Sequence, residues 1–485
     1  MNKSLRLVSS FCIILVLALL ARLTWVQGYQ AQALDDNSAN RRVAITQYDQ
    51  QLGNIMVDGQ PITGSAEESS GDMQYKRTYT DGALYAPVTG YNSQVYGATQ
   101  LEGIYQDVLD GEDPMLATVG STLNGNQAKP GDVYTTIDPD VQQAAYKALG
   151  DDVGAAVAID PQTGAIKAMA STPSYDPSKI SGDTSSDQEA WNKLQDDDDP
   201  PMLNRALRQT YPPGSTFKLV VTAAALEGGY VDSITAPTNY PDTYTLPGTT
   251  TVLTNENQAD PCSGASLEVA LEYSCNTVFA PLAVEIGQKN LKEMADKFGF
   301  DDDSLDVPTR AAKSTYPTGM SPDEVAQTGI GQFDVTATPL EMAMVSAAVA
   351  NGGTLMQPYM VDKITDSGGE TAEQTSPTTY SEPVSSSVAE QMQQAMIATV
   401  TDGTASTMAI DGLTVGGKTG TAQNGVDNSN KPYAWITGYA EDSSGNDVAV
   451  AVVVADSNAS RDEVSGGGQA GPVAKAMMEA ALGNS

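Results

Sequence analysis

The chain has 485 residues, with 61 acidic and 25 basic side chains and a formal net charge of −36 at pH 7. So negative a chain repels the nucleic-acid backbone, which excludes nucleic acid as an expected partner. The sequence contains no histidine and only three cysteines, which excludes Ser-His-Asp catalysis, Cys-His catalysis and ordinary zinc sites. We therefore expect no metal and no cofactor, and lysine is the obvious base for any nucleophilic chemistry.

Residues 1–28 are predicted to be a transmembrane signal-anchor. Lys3 and Arg6 precede the apolar run Leu7–Val26, and positive charge before such a run places the N-terminus in the cytoplasm. The protein is thus expected in the cell membrane, single-pass, with its catalytic domain extracytoplasmic. A cleaved signal peptide is the alternative, with Ala31–Ala33 as a passable cleavage site.

Residues 29–130 are polar and turn-rich, and they lack a catalytic constellation. A short strand is predicted over Asn54–Val57 and a helix over Leu101–Leu109. We predict an elongated, non-catalytic pedestal or interaction domain that ends in a glycine-containing boundary before residue 131.

Residues 131–485 are predicted to be one α+β domain. A helix follows Asp138, a helix runs from Pro472 to Leu482, and the region from about 200 to 400 is predicted to be an inserted all-helical subdomain. Five strands are predicted on the two sides of this insert, at 155–159, 165–170, 413–415, 433–439 and 448–455. Because the strands come from both ends of the domain and tight turns join several of them, we predict a mostly antiparallel five-stranded sheet flanked by helices.

The first stretch with chemistry is Tyr211–Lys218, in which two prolines and a glycine lead into an Ala/Leu/Val helix. Ser215 and Lys218 are three residues apart, so on a helix they share a face and form a possible nucleophile and base. A Ser-x-x-Lys pair on its own is as well explained by a capped, buried helix.

Two further elements follow in the chain. Ser274-Cys275-Asn276 comes after a predicted helix, and Lys418-Thr419-Gly420 lies on a predicted strand with glycines that allow a ligand close to the backbone. Ser-x-x-Lys, Ser-x-Asn and Lys-Thr-Gly in this order resemble the signature of penicillin-binding proteins and serine β-lactamases.

The resemblance extends to other stretches. Residues 135–142, 158–166 and 329–340 are similar to class B penicillin-binding transpeptidase domains, and residues 85–109 resemble the penicillin-binding protein A group of actinobacteria. The chain departs from that pattern at Phe333, where relatives often carry a small residue, usually glycine.

The chemistry and the resemblance together suggest a role for each site residue. Ser215 would attack a D-alanyl-D-alanine stem peptide, and Lys218 would act as the base if burial, the helix N-terminus and Lys418 depress its pKa. Ser274 would relay a proton to the leaving D-alanine, and Asn276 would hydrogen-bond Lys218 and the substrate amide. The substrate carboxylate would be held by a group of residues on the predicted strand, namely Lys418, Thr419, Gly420 and Thr421. The backbone amides of Ser215 and Thr421 would form the oxyanion hole.

Cys262 and Cys275 flank the predicted helix that starts at Ser266, and Cys275 lies inside the second element. Outside the membrane, disulfides persist. A disulfide that stiffens the loop with Ser274 and a pair of buried thiols are both open at this point.

The expected function is crosslinking of peptidoglycan stem peptides by D,D-transpeptidation through a Ser215 acyl-enzyme, with acylation and inhibition by β-lactams. The alternatives are a D,D-carboxypeptidase or β-lactamase on the same fold, or a noncatalytic β-lactam receptor. The resemblance also implies partners, namely a membrane glycosyltransferase and division or elongation proteins, because no glycosyltransferase domain precedes the transpeptidase. Septation and elongation are both compatible with the sequence.

Overall fold

The computed structural model describes residues 3–30, 48–68, 73–116, 129–425 and 428–483. The first helix, α1 (Lys3–Thr24), continues into a π-helical turn at Trp25–Tyr29. An 18-residue window within the segment Arg6–Tyr29 has a mean hydropathy of 2.3 and is not buried against the rest of the protein. By length and composition this helix can span a membrane, as the predicted anchor requires.

The region after the anchor contains short strands and short helices. Its strands are β1 (Ile55–Val57), β2 (Gln60–Pro61), β3 (Thr63–Glu67), β4 (Tyr75–Tyr79), β5 (Asn92–Ser93) and β6 (Gly97–Ala98), and its helices are α2 (Gly82–Thr89), α3 (Gln100–Ile104) and α4 (Gln106–Asp110). Arg77 and Glu102 form a fully buried ion pair at 2.8 Å between β4 and α3. The Arg77 guanidinium also donates to the carbonyl of Gly53, so this charge pair holds three segments together.

The rest of the chain alternates long helices with strands. The strands are β7 (Asp132–Thr135), β8 (Val153–Ile159), β9 (Ile166–Thr172), β10 (Thr243–Thr245), β11 (Val252–Thr254), β12 (Leu355–Met356), β13 (Val361–Thr365), β14 (Thr371–Gln374), β15 (Thr379–Ser381), β16 (Thr414–Ala422), β17 (Tyr433–Glu441) and β18 (Asp447–Asp456). The helices are α5 (Pro139–Leu149), α6 (Ser185–Gln195), α7 (Arg205–Arg208), α8 (Lys218–Glu227), α9 (Leu267–Glu272), α10 (Asn276–Phe298), α11 (Pro322–Thr328), α12 (Pro339–Ala350), α13 (Ser386–Thr401) and α14 (Gly471–Ala481).

The central sheet has the strand order β16-β17-β18-β8-β9, and every neighbouring pair is antiparallel. The predicted five-stranded sheet is thereby confirmed. Side chains of β18 alternate between two cores: Val450 and Val452 pack in the core that contains Val473 of α14, whereas Ala451 and Val453 pack in the core of α12. Because helices cover both faces of the sheet, its strands are apolar on both sides.

The insert between α7 and α13 is mostly helical, as predicted. The all-helical prediction did not include the hairpin of β10 and β11 or the four strands β12 to β15, which all lie between these two helices. The two hairpin strands have three residues each and are largely exposed, so their alternation is too short to produce a sequence signal.

A second five-stranded sheet has the order β14-β13-β7-β1-β2 and joins the two predicted domains. β1 pairs in parallel with β7, and β7 pairs antiparallel with β13. Strands from both sides of the predicted boundary between residues 130 and 131 therefore share one sheet.

Candidate active site

Ser215 lies in a 3-10 turn, Gly214–Phe217, that continues directly into α8. The turn packs against Gly331, whose backbone carbonyl oxygen accepts a 3.0 Å hydrogen bond from the backbone N–H of Gly214. Gly331 has a φ of +67°, and a Cβ atom there would lie 1.9 Å from the Gly214 carbonyl oxygen. Only glycine fits this contact, so the 329–340 segment fixes the position of the nucleophile's turn.

The other side of the same turn contacts the edge strand β16. A Cβ atom on Gly420 would lie 2.8 Å from the carbonyl oxygen of Pro213, so glycine is needed for this close approach. Tyr211, just before the turn, exchanges two 2.9 Å backbone hydrogen bonds with Ala337. Ser215 is therefore clamped between two backbones, and its own side chain remains partly exposed.

Lys218 is fully buried one turn after Ser215. Its Nζ atom donates to the carbonyl oxygen of Ser274 at 2.7 Å and to Oδ1 of Asn276 at 2.8 Å, and it lies 3.2 Å from the Ser274 hydroxyl. The first and second predicted elements are thus in direct contact. Within the described residues no hydrogen bond reaches the Ser215 hydroxyl, which leaves it available to a substrate.

Burial lowers the pKa of Lys218 well below its ordinary value, and the positive charge of Lys418 lowers this pKa further. The negative charge of Glu256 opposes the shift. The ammonium form can donate to all three neighbouring oxygens, whereas the neutral amine has two N–H groups and a lone pair that can accept a proton. The surroundings of Lys218 therefore suit a neutral amine that acts as a base.

Ser274 has a φ of +57°, which is uncommon for a residue other than glycine. This conformation brings its carbonyl and its hydroxyl to the same side, toward Lys218. The next residue, Cys275, is joined to Cys262 by a disulfide, and both cysteines are buried. The disulfide ties the loop between α9 and α10 to the segment that precedes α9.

Lys418, the third element's cation, is fully buried on β16, and its Nζ atom donates to the Thr419 carbonyl oxygen at 3.0 Å. Burial lowers the pKa of Lys418 to about 7, and the charge of Glu256 partly offsets this shift. The Thr419 hydroxyl donates to Thr404 at 2.8 Å, which holds it in place. Thr421, two residues further along the strand, is partly exposed.

A cleft of about 900 Å³ brings Ser215, Asn276 and Thr421 to one surface. Two other residues of this cleft had no role in the sequence prediction. Glu256 acts on the pKa values of both lysines, and no motif marks it because it lies in an exposed loop after β11. Phe333 has a φ of +61° and lines the same cleft, which explains why glycine suits this position.

Taken together, the arrangement contains a nucleophile, a buried amine, a hydroxyl that bridges to that amine, an amide side chain and a second buried cation. Such a set is suited to acyl transfer from a substrate with a carboxylate. Among the described residues that contact one another in this cluster, lysine is the only kind of titratable side chain that can act as the base.

Comparison with known proteins gave two family matches. Residues 154–479 match the penicillin binding protein transpeptidase domain. Residues 52–133 match the penicillin binding protein A dimerisation domain.

Individual relatives extend over nearly the whole chain. The chain is 39% identical to the protein named peptidoglycan D,D-transpeptidase PbpA of Mycolicibacterium smegmatis over 494 residues, which covers 99% of each protein. The ceftriaxone acyl-enzyme structure of penicillin-binding protein A from M. tuberculosis is 35% identical, with a TM-score of 0.84, and covers 90% of this chain and 100% of that one. The corresponding penicillin G acyl-enzyme is 36% identical, with a TM-score of 0.82, and covers 89% of this chain and 100% of that one.

Proposed function

Because the chain belongs to the class B penicillin-binding transpeptidases, we propose that it crosslinks peptidoglycan stem peptides by D,D-transpeptidation and is acylated by β-lactams. One observation carries this proposal above the others. Lys218, which is buried next to the Ser215 turn, hydrogen-bonds both Ser274 and Asn276 of the Ser-x-Asn element. Ser215 and Asn276 line the same cleft.

In the acylation step, the Ser215 Oγ atom attacks the carbonyl carbon of the penultimate D-alanine, and its proton passes to the neutral Lys218 amine. The carbon–nitrogen bond to the terminal D-alanine then breaks, and the departing nitrogen takes up a proton relayed through Ser274. Asn276 orients Lys218 and the substrate amide. The proton donated by Ser215 is thus balanced by the proton taken up by the leaving group.

The substrate is held by its charge and by its carbonyl oxygen. We assign the terminal carboxylate to Lys418, Thr419 and Thr421, with Gly420 allowing the close backbone approach. The backbone N–H groups of Ser215 and Thr421, two residues that line the cleft, stabilise the oxyanion. Carboxylate binding next to Lys418 favours its ammonium form, which counteracts the effect of burial on its pKa.

Deacylation defines the reaction class. In a transpeptidase the amine of a second stem peptide attacks the acyl-enzyme and forms the crosslink, whereas water is the acceptor in a D,D-carboxypeptidase or β-lactamase. A noncatalytic β-lactam receptor stops at the acyl-enzyme. The near full-length similarity to a protein named as a D,D-transpeptidase favours the amine acceptor.

The experiment that separates these outcomes is single-turnover mass spectrometry with a stem-peptide thioester. A transpeptidase accumulates an acyl group on Ser215, and added D-alanine or stem-peptide amine converts this acyl group into an amide product. Release of the free acid at the same rate with and without amine would contradict the proposal, and a persistent acyl-enzyme would favour the receptor.

We further propose that α1 is a single-pass anchor with the rest of the chain outside the cytoplasm. Lys3 and Arg6 ahead of the apolar run support this orientation. Within this topology we assign residues 1–28 to the anchor, residues 29–130 to the pedestal and residues 131–485 to the transpeptidase domain. The pedestal would dock a membrane glycosyltransferase and division or elongation proteins. Accessibility of engineered cysteines on either side of α1 to a membrane-impermeant reagent tests the topology.

A further inference from the structure

We propose that a second cavity, formed next to the connection from β16 to β17, binds the free carboxylate of an amino acid or short peptide. The cavity has a volume of about 530 Å³, within the range of about 300–1,000 Å³ that is common for small-ligand sites. Among the described residues, none lines both this cavity and the active-site cleft. The proposal therefore concerns a site separate from the acyl-transfer residues.

Arg205 of α7 borders this cavity and is 2% exposed. Its guanidinium donates one hydrogen bond, at 3.1 Å, to the carbonyl oxygen of Pro200. Within the described part of the chain no carboxylate forms an ion pair with it. The negative charges of Asp199 and Asp197 act on Arg205 without contacting it, and its remaining N–H groups match the two oxygens of a carboxylate.

Two more polar groups of the same cavity lack partners. The Tyr211 hydroxyl and the Gln209 side-chain oxygen are both buried, and neither has a hydrogen-bond partner among the described residues. The Tyr211 ring is fixed by edge contacts with Tyr433 and Trp435, at centroid distances of 5.2 and 6.1 Å. The Gln209 amide can rotate to present its NH₂ group. Guanidinium, hydroxyl and amide then supply three donors to one anion.

The outer part of the cavity has the opposite charge. Asp198 and Asp199 line it and are exposed. Asp456, which also lines it, is paired with Lys431 at 3.2 Å. These acids disfavour a ligand with only negative charge, such as phosphate, and they suit the ammonium group of an amino acid or peptide. The charge pattern is therefore that of a zwitterion with its carboxylate at the buried end.

The connection between β16 and β17 contributes to both cavities. Asn424 and Lys431 line the second cavity, whereas Gln423 and Pro432, their immediate neighbours, line the active-site cleft. A ligand in the second cavity would thus contact one side of a segment whose other side faces the substrate.

The test is calorimetric titration of the full-length protein in detergent after acylation with penicillin G, so that the cleft is blocked. Mass spectrometry first verifies the acyl group, which reveals any failure of the proposed function before the titration begins. D-Alanyl-D-alanine and D-alanine are titrated separately, and tighter binding of one identifies a peptide end or a single amino acid as the source. We expect saturable binding with one site per chain, weakened at least 10-fold when the carboxylate of the probe is amidated.

Variants decide whether the binding belongs to this cavity. Tyr211→Phe removes only the unpartnered hydroxyl, and Arg205→Met removes the buried charge; both are expected to weaken binding at least 10-fold. Arg208→Met, on the exposed side of the same helix, is the matched control and should bind as the wild type does. Thermal unfolding monitors the fold, and Tyr211→Phe keeps the test decisive if Arg205→Met is unstable. Absence of binding, equal binding of the amidated probe, or unchanged binding by Tyr211→Phe would overturn the proposal.

Discussion

The Nζ atom of Lys218 donates a 2.7 Å hydrogen bond to the carbonyl oxygen of Ser274, a residue whose φ of +57° lies in the left-handed region. The Ser274 hydroxyl lies 3.2 Å from the same nitrogen. A residue other than glycine in such a conformation costs on the order of 1–3 kcal/mol. The strained backbone thus brings the carbonyl oxygen and the hydroxyl of Ser274 to the same amine.

Replacement of Ser274 separates strain from chemistry. Ser274→Gly and Ser274→Ala both remove the hydroxyl, but only glycine relieves the positive φ, so we expect Ser274→Gly to have a free energy of unfolding about 1 kcal/mol higher than Ser274→Ala. Both variants should lose about 10²–10⁴-fold in the rate of stem-peptide acylation, because the proton relay is absent. Denaturant unfolding and acylation kinetics measure the two effects.

Ser387→Ala, in the exposed first turn of α13, is the control for these variants. Equal stability of Ser274→Gly and Ser274→Ala would contradict the strain. Acylation by either at the wild-type rate would contradict the relay.

Glu256→Gln should move the whole pH profile of acylation to lower pH. The neutral Lys218 is the active form, so the rate rises as pH passes its depressed pKa; the Lys418 ammonium, with a pKa of about 7, is lost at higher pH. The Glu256 charge raises both pKa values, so its removal lowers both and shifts the rising and falling limbs together. Profiles of kcat/KM for a stem-peptide thioester measure the shift.

Glu293→Gln, an exposed substitution on α10, controls for the loss of one negative charge. An unchanged profile for Glu256→Gln, or a shift to higher pH, would show that Glu256 does not act on the two lysines.

Much of the fold and of the site could be predicted from the sequence, because local patterns carry it. The apolar run of β18, the proline-glycine entry to α8 and the three spaced elements are all local signals. The contact of Gly331 with Gly214 could not be predicted in this way, since it joins two segments more than a hundred residues apart. The sheet that joins β1, β7 and β13 depends in the same way on distant pairing.

Phe333→Gly should stabilise the protein, although it removes a large apolar side chain. Phe333 is 36% exposed and has a φ of +61°, so we expect the relief of backbone strain to exceed the loss of side-chain packing. The free energy of unfolding of Phe333→Gly should also be about 1 kcal/mol higher than that of Phe333→Ala. Comparing the two variants by thermal unfolding isolates the backbone effect, because both lose the ring. A glycine variant no more stable than the alanine variant would refute the strain at this position.

Removal of the disulfide between Cys262 and Cys275 should destabilise the protein and slow acylation. The bridge spans 13 residues, and a loop of about 15 residues corresponds to roughly 3 kcal/mol in the chain-entropy account. The double variant Cys262→Ala with Cys275→Ala is compared with Cys12→Ala, whose cysteine lies on the exposed α1. The free energy of unfolding is measured with and without reductant. The stabilising role of the disulfide would be contradicted if reductant did not change the stability of the wild type and the double variant were equally stable.

Peptide mapping of the penicillin-treated protein shows whether Ser215 is the nucleophile. We expect a penicilloyl adduct on the peptide that contains Ser215, formed in the wild type and absent in Ser215→Ala, with Ser186→Ala labelled as the wild type is. An adduct on another residue, or equal labelling of Ser215→Ala, would contradict it.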